Sequence, residues 1–129
     1  MPIDVVWTDE TCTTLCITFE GVWTLDELAP TMDKAIAMTE SQTHTVHRLL
    51  DMREANLLPR HILTFIRHQD ARTPDNIGLL IIIGGNQLAR ALATIAKQFR
   101  VKAVQQAYFV QTPDEALKLV AHLTETNGV

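Results

Sequence analysis

Between Thr14 and Glu20 the chain alternates, with Leu15, Ile17 and Phe19 on one side and Cys16, Thr18 and Glu20 on the other. A period of two is that of a strand with one buried face. Residues 3–8, with Val5, Val6 and Trp7, read as a strand just before it. The polar break Asp9-Glu10-Thr11 is short enough to make the two an antiparallel hairpin. The period then changes: Leu25, Leu28, Met32, Ala35 and Ile36 recur at helical spacing. Thr24-Leu25-Asp26-Glu27 ahead of them is a capping box, in which Thr24 accepts from the Glu27 N–H and the Glu27 carboxylate reaches back. Pro30 lies beyond the first turn and removes a backbone bond, which predicts a kink or a delayed helix start.

Residues 46–52 read as a third strand. Residues 58–69 read as a second helix, with Ile62, Phe65, Ile66 and Gln69 along one side and Pro59 in its first turn. Ile77-Gly78-Leu79-Leu80-Ile81-Ile82-Ile83 is apolar on both faces, as in a strand covered from both sides. Gly84-Gly85 ends it, and Asn86 is placed to cap a third helix with Leu88, Leu92, Ile95 and Phe99 as its core stripe. Residues 107–110 form a last strand. Thr112-Pro113-Asp114-Glu115 is a second capping box, opening a final helix with Leu117, Val120 and Leu123. Strands alternating with helices after a hairpin predict an α/β fold in one domain, residues 1–129. The sheet is mixed and mostly parallel, of about five strands, with about four helices.

Composition leaves that picture intact and removes several functions. Hydrophobic residues make up 47% and charged residues 20%, a globular balance. The net charge is −4, and the 11 Lys and Arg are scattered with no stripe. Nucleic acid and anionic membrane surfaces both need clustered positive charge, so neither is an expected partner. No apolar run approaches the ~20 residues that span a bilayer, and no basic-then-apolar segment opens the chain, so membrane insertion is not expected and a cytoplasmic location is. Cys12 and Cys16, if both in one strand, lie about 13 Å apart at ~3.3 Å per residue. A bridge would require Cys12 to sit in a turn; free thiols in a reducing compartment are the expectation.

Ligands in open α/β sheets bind beyond the carboxyl ends of the parallel strands. Two segments qualify as candidate binding sites. One is the loop 51–56 after the third strand, with Asp51, Arg53 and Asn56; the other is Gly84, Gly85 and Asn86. Asp51 and Arg53 share a face in extended chain, which serves an ion pair or a cap as well as a ligand contact. Gly84-Gly85 before a helix suits an approaching anion, but a tight turn needs the same glycines, and neither GxGxxG nor a P-loop is present. His61 and His68 are about two helical turns apart, too far to share an ion, and His44 and His47 lack a third ligand, so no metal or cofactor is expected and surface histidines are. Ser41 is the only serine and follows a helix, which excludes a serine triad. No base is evident beside either cysteine. Trp7 and Trp23 serve either the core or a partner surface.

The opening strand pair, Gly21-Val22-Trp23-Thr24-Leu25-Asp26-Glu27-Leu28, the strand Arg48-Leu49-Leu50-Asp51-Met52-Arg53 and the ending Tyr108-Phe109-Val110-Gln111-Thr112-Pro113-Asp114-Glu115-Ala116-Leu117 together resemble the STAS family, the anti-sigma-factor antagonist fold. The resemblance covers nearly the whole chain and is narrower to stand-alone bacterial STAS-like proteins, including those grouped with the lipid-binding CRAL-TRIO fold. It implies a non-enzymatic binding module. In antagonists of this family a Ser or Thr following an Asp on the third strand is phosphorylated. Asp51 matches the Asp, but Met52, Arg53, Glu54, Ala55 and Asn56 carry no hydroxyl. The expected function is therefore regulatory protein binding, with a homodimer among the options, without the phospho-switch. The alternative is a small-molecule or lipid binder with an apolar pocket beside the second helix, formed by Leu57, Leu58, Ile62, Phe65 and Ile66.

Overall fold

The computed structural model describes residues 2–55, 59–84, 87, 90, 91, 94 and 107–127, among which five strands and three helices are delimited. Strands β1 (Ile3–Trp7), β2 (Thr14–Gly21), β3 (Val46–Ala55), β4 (Ile77–Ile83) and β5 (Tyr108–Val110) form one sheet in sequence order. β1 pairs antiparallel with β2, and every later pair is parallel. The helices are α1 (Leu25–Glu40), α2 (Ile62–Ala71) and α3 (Pro113–Asn127). The mixed, mostly parallel sheet matches the sequence pattern. Of the helix expected after β4, only Gln87, Arg90, Ala91 and Thr94 fall among the described residues, each with helical backbone.

Alternation along the strands divides the core in two. On one face Val5, Leu15, Ile17, Phe19, Val46, Met52 and Ile82 pack against Leu28 and Ala35 of α1 and Ile62 and Phe65 of α2. On the other, Leu49, Ile81 and Ile83 pack under Ala116, Leu119 and Val120 of α3. Each fully buried Leu or Ile contributes ~1.5–3 kcal/mol, so the covered strands β3 and β4 anchor the domain. α3 meets β3, β4 and β5. On the same face, Asp4 and Val6 of β1 and Glu20 of β2 are exposed, Val6 at 49%.

The caps largely follow the sequence. Thr24 accepts from the Glu27 N–H at 3.2 Å, and the Thr24 N–H donates to the Glu27 carboxylate at 3.1 Å. α1 begins at once at Leu25 and runs past Pro30, so no delayed start occurs; the exposed proline is accommodated within the helix. At α3 the Thr112 hydroxyl accepts from the Glu115 N–H, but Glu115 reaches back to the N–H of Gln111, one residue beyond the expected cap. α2 starts later than expected, at Ile62. His61 has φ +62°, a left-handed conformation that no first helical turn admits, and Pro59 and Arg60 precede it as loop. The proline therefore lies outside α2.

Two further expectations change. β3 does not stop at Met52 but continues to Ala55, because a bulge between Thr18 and Glu20 lets Glu54 and Ala55 pair with Glu20 and Gly21. His47 is not a surface residue; it is 5% exposed. A second bulge, between Val46 and Arg48, shifts the β3–β4 register. There the Leu79 N–H donates to His47 Nδ1 at 2.9 Å, so a side chain serves as the acceptor beside the bulge. Gly78 makes room for this: a Cβ there would press onto the His47 ring and Thr45. Nearby, the Asn76 amide donates to the carbonyls of Thr39 at 2.8 Å and His44 at 3.0 Å, closing the C-terminal end of α1 against the start of β4.

Candidate functional site

Asp51 and Arg53 stand on the same face of β3, as their spacing requires. They belong to the strand rather than to a loop. The Arg53 Nε donates to Asp51 Oδ1 at 2.9 Å and Nη2 donates to Oδ2 at 2.8 Å, a two-pronged ion pair. The Arg53 backbone N–H also donates to Oδ1 at 3.3 Å. The Asp51 side chain is 10% exposed and that of Arg53 is 45%. The hydrogen bonds from Arg53 hold the Asp51 carboxyl below the usual carboxylate range, against the opposing pull of burial.

β3 and β4 are neighbours, and this brings together the two segments that sequence alone leaves apart. Gly84, at φ +118°, follows β4 directly, and a Cβ on it would lie 3.3 Å from the Arg53 backbone nitrogen. Its N–H donates to Val110 O at 2.9 Å. Glycine is thus required both by the dihedral and by the close passage of β3. Asn56, Gly85 and Asn86 lie outside the described residues, as do Leu57 and Leu58 of the expected pocket.

β2 supplies groups that sequence reasoning missed. Thr18 is the register partner of Asp51, and Cys16 lies two residues before it on the same face. The Cys16 Sγ and Thr18 Oγ1 are 3.8 Å apart. Burial, first of all, pushes the Cys16 thiol above its ordinary value; Asp51 adds to this, while Thr18 and Arg53 oppose it. A thiol held protonated is a poor nucleophile, and a carboxylate held ionised by its own arginine is a poor proton acceptor. The alternation of β2 already placed Cys16 and Thr18 on the face away from the main core; what was missing was the register that sets them beside Asp51.

The tryptophans divide. Trp23 is 3% exposed and its ring lies 5.0 Å from that of Phe19, so it belongs to the core and offers no partner surface. Trp7 is half-buried against the same cluster. The hairpin turn does contain Cys12, with φ +54°, yet both thiols are free. Among the described residues no three His, Cys, Asp or Glu side chains converge as a metal site requires, and no helix is long and apolar enough to cross a membrane. No protein-family model matches the chain, and no curated protein is significantly similar to it.

Proposed function

We propose that this chain is a non-enzymatic regulatory domain of STAS-like type that works by binding another protein through the sheet face carrying Asp51 and Arg53. The observation that carries this reading is the pairing itself: Arg53 holds Asp51 with both prongs and still keeps 45% of its side chain exposed. Beside it Asp4, Val6 and Glu20 form an exposed strip on β1 and β2. A hydrogen-bonded charged pair next to an acidic strip with one exposed valine is suited to recognition. It is poorly suited to acid–base or nucleophilic work, because Asp51 and Arg53 hold each other ionised and burial keeps the Cys16 thiol protonated. The segment after Asp51 has no hydroxyl to phosphorylate up to Asn56, so the domain would bind without the switch that the STAS resemblance carries.

The test uses a tagged full chain and the double variant Val6→Glu, Arg53→Glu, both checked for cooperative unfolding. Co-purification from the native host and light scattering are compared between the two. A partner or a dimer that is present with the wild type and lost with the variant supports the reading. A monomeric wild type that retains nothing beyond what the variant retains contradicts it.

A further inference from the structure

Arg48 lies on the opposite face of β3 from Asp51, in the layer shared with α1 and α2. Its register partners are Leu15 of β2 and Leu80 of β4, and Leu50 follows it on the same face. Its Nε and Nη2 atoms are buried and meet no acceptor among the described residues. These are the same two atoms with which Arg53 grips both oxygens of Asp51. Among the described residues, then, Arg53 has its Nε and Nη2 filled by a carboxylate, while those of Arg48 are enclosed without an acceptor.

Gln69 belongs to α2, one of the two helices that cover this face. It follows Phe65 by one helical turn, and Phe65 packs into the core, so Gln69 shares its inward face. Its Oε1 is also buried with no donor among the described residues. α2 connects two parallel strands and so runs back against them. Its last turn, with Gln69, therefore returns to the end of the sheet where β3 begins, and Arg48 is the third residue of that strand. One carbonyl oxygen could satisfy only one of the two N–H groups and would bring no negative charge. An unpaired buried cation costs several kcal/mol. Burial alone lowers the Arg48 pKa to about 10, with no carboxylate contributing.

From this geometry we propose that Arg48, together with Gln69 from the last turn of α2, is the recognition point for the oxyanion of a small molecule that enters between α2 and the sheet. The Nε and Nη2 donors match a carboxylate or phosphate edge. Gln69, turned about its last torsion, presents its NH2 as a further donor to the same oxygens. The surrounding leucines and isoleucines give the rest of the ligand an apolar setting. The site lies on the far side of the sheet from Asp51 and Arg53, so its failure leaves the partner-binding proposal untouched.

The probes are octanoate, octanol as its uncharged counterpart, and inorganic phosphate, each titrated calorimetrically into the full chain. Octanoate binding well above octanol assigns a carboxylate; phosphate binding alone assigns a phosphate compound. Arg48→Met weakens the anion about tenfold or more, the loss of a charged two-pronged hydrogen bond. Arg48→Lys keeps the charge but loses the fork and gives an intermediate loss. Arg53→Met, on the exposed fork, leaves binding unchanged. The proposal is overturned if neither anion binds, if octanol binds as tightly as octanoate, if both Arg48 variants bind like the wild type, or if Arg53→Met is the variant that abolishes binding.

Discussion

The two ends of β3 solve the same problem in different ways. At its C-terminal end Arg53 is half-exposed and its fork is closed by Asp51. At its N-terminal end His47 is buried and Arg48 has buried N–H groups with no acceptor among the described residues. Water reaches the Arg53 half of the outer pair but little of Asp51, so its contribution to stability is modest and its value lies in holding a defined shape at the surface. The inner end is shielded from water, and every polar group there matters: a matched one, such as His47 accepting from Leu79, holds the sheet, and an unmatched one, such as Arg48, weakens it. Stability is thus concentrated where the chain is covered, while the partner recognition proposed above falls at the end that is open.

That contrast is sharpened first by Gly78→Ala. The added methyl presses onto the His47 ring and disturbs the hydrogen bond beside the bulge, and it should cost about 3 kcal/mol in urea denaturation. A loss under about 1 kcal/mol would mean that the inner end is looser than described. Next is His47→Leu, which leaves the Leu79 N–H without its acceptor and should cost about 2 kcal/mol.

The same histidine gives a pH signature. Burial lowers its pKa below 6.5, so the folded protein binds its proton less readily than the unfolded chain does. Its contribution is complete above about 6.5 and is lost as pH falls through the lower folded-state value. Stability should therefore rise with pH through the mildly acidic range, and His47→Leu should flatten that slope. An unchanged slope would place the titration elsewhere.

The smaller effects come from the arginines themselves. Arg48→Met replaces a charge whose buried Nε and Nη2 meet no acceptor among the described residues with an apolar chain of similar reach, and should leave the fold as stable or about 1 kcal/mol more so. Arg53→Met removes the half-exposed partner of an Asp51 side chain that is only 10% exposed, and should cost about 1–2 kcal/mol. Asp51→Asn should behave similarly near neutrality. The depressed Asp51 pKa adds stability that is present above the ordinary carboxylate range and fades as pH drops through the lower folded value.

Much of this was legible in the sequence. The alternation of residues 14–20 gave β2 its core face, the apolar run of 77–83 identified a strand covered on both sides, and Thr24 and Glu27 marked the start of α1. The Asp51–Arg53 pair followed from their spacing. What escaped was set by register and dihedrals, which a one-dimensional pattern does not carry. The bulge opposite Thr18 and Glu20 extended β3 through Ala55, the positive φ of His61 delayed α2, and the bulge beside Val46 turned His47 into a buried acceptor. In the sequence Arg48 is a strand residue and one of the scattered cations, and nothing local distinguishes a lone arginine facing the helices from one facing water. Its neighbours Leu15 and Leu80 come from other strands.

The most direct test of this division is urea denaturation of Arg48→Met and Arg53→Met side by side, in a buffer free of phosphate and carboxylates. The account predicts that Arg48→Met unfolds at the same or a higher urea concentration than the wild type, while Arg53→Met unfolds lower. A loss of about 2 kcal/mol or more in Arg48→Met would contradict it, because that arginine would then have a partner within the fold.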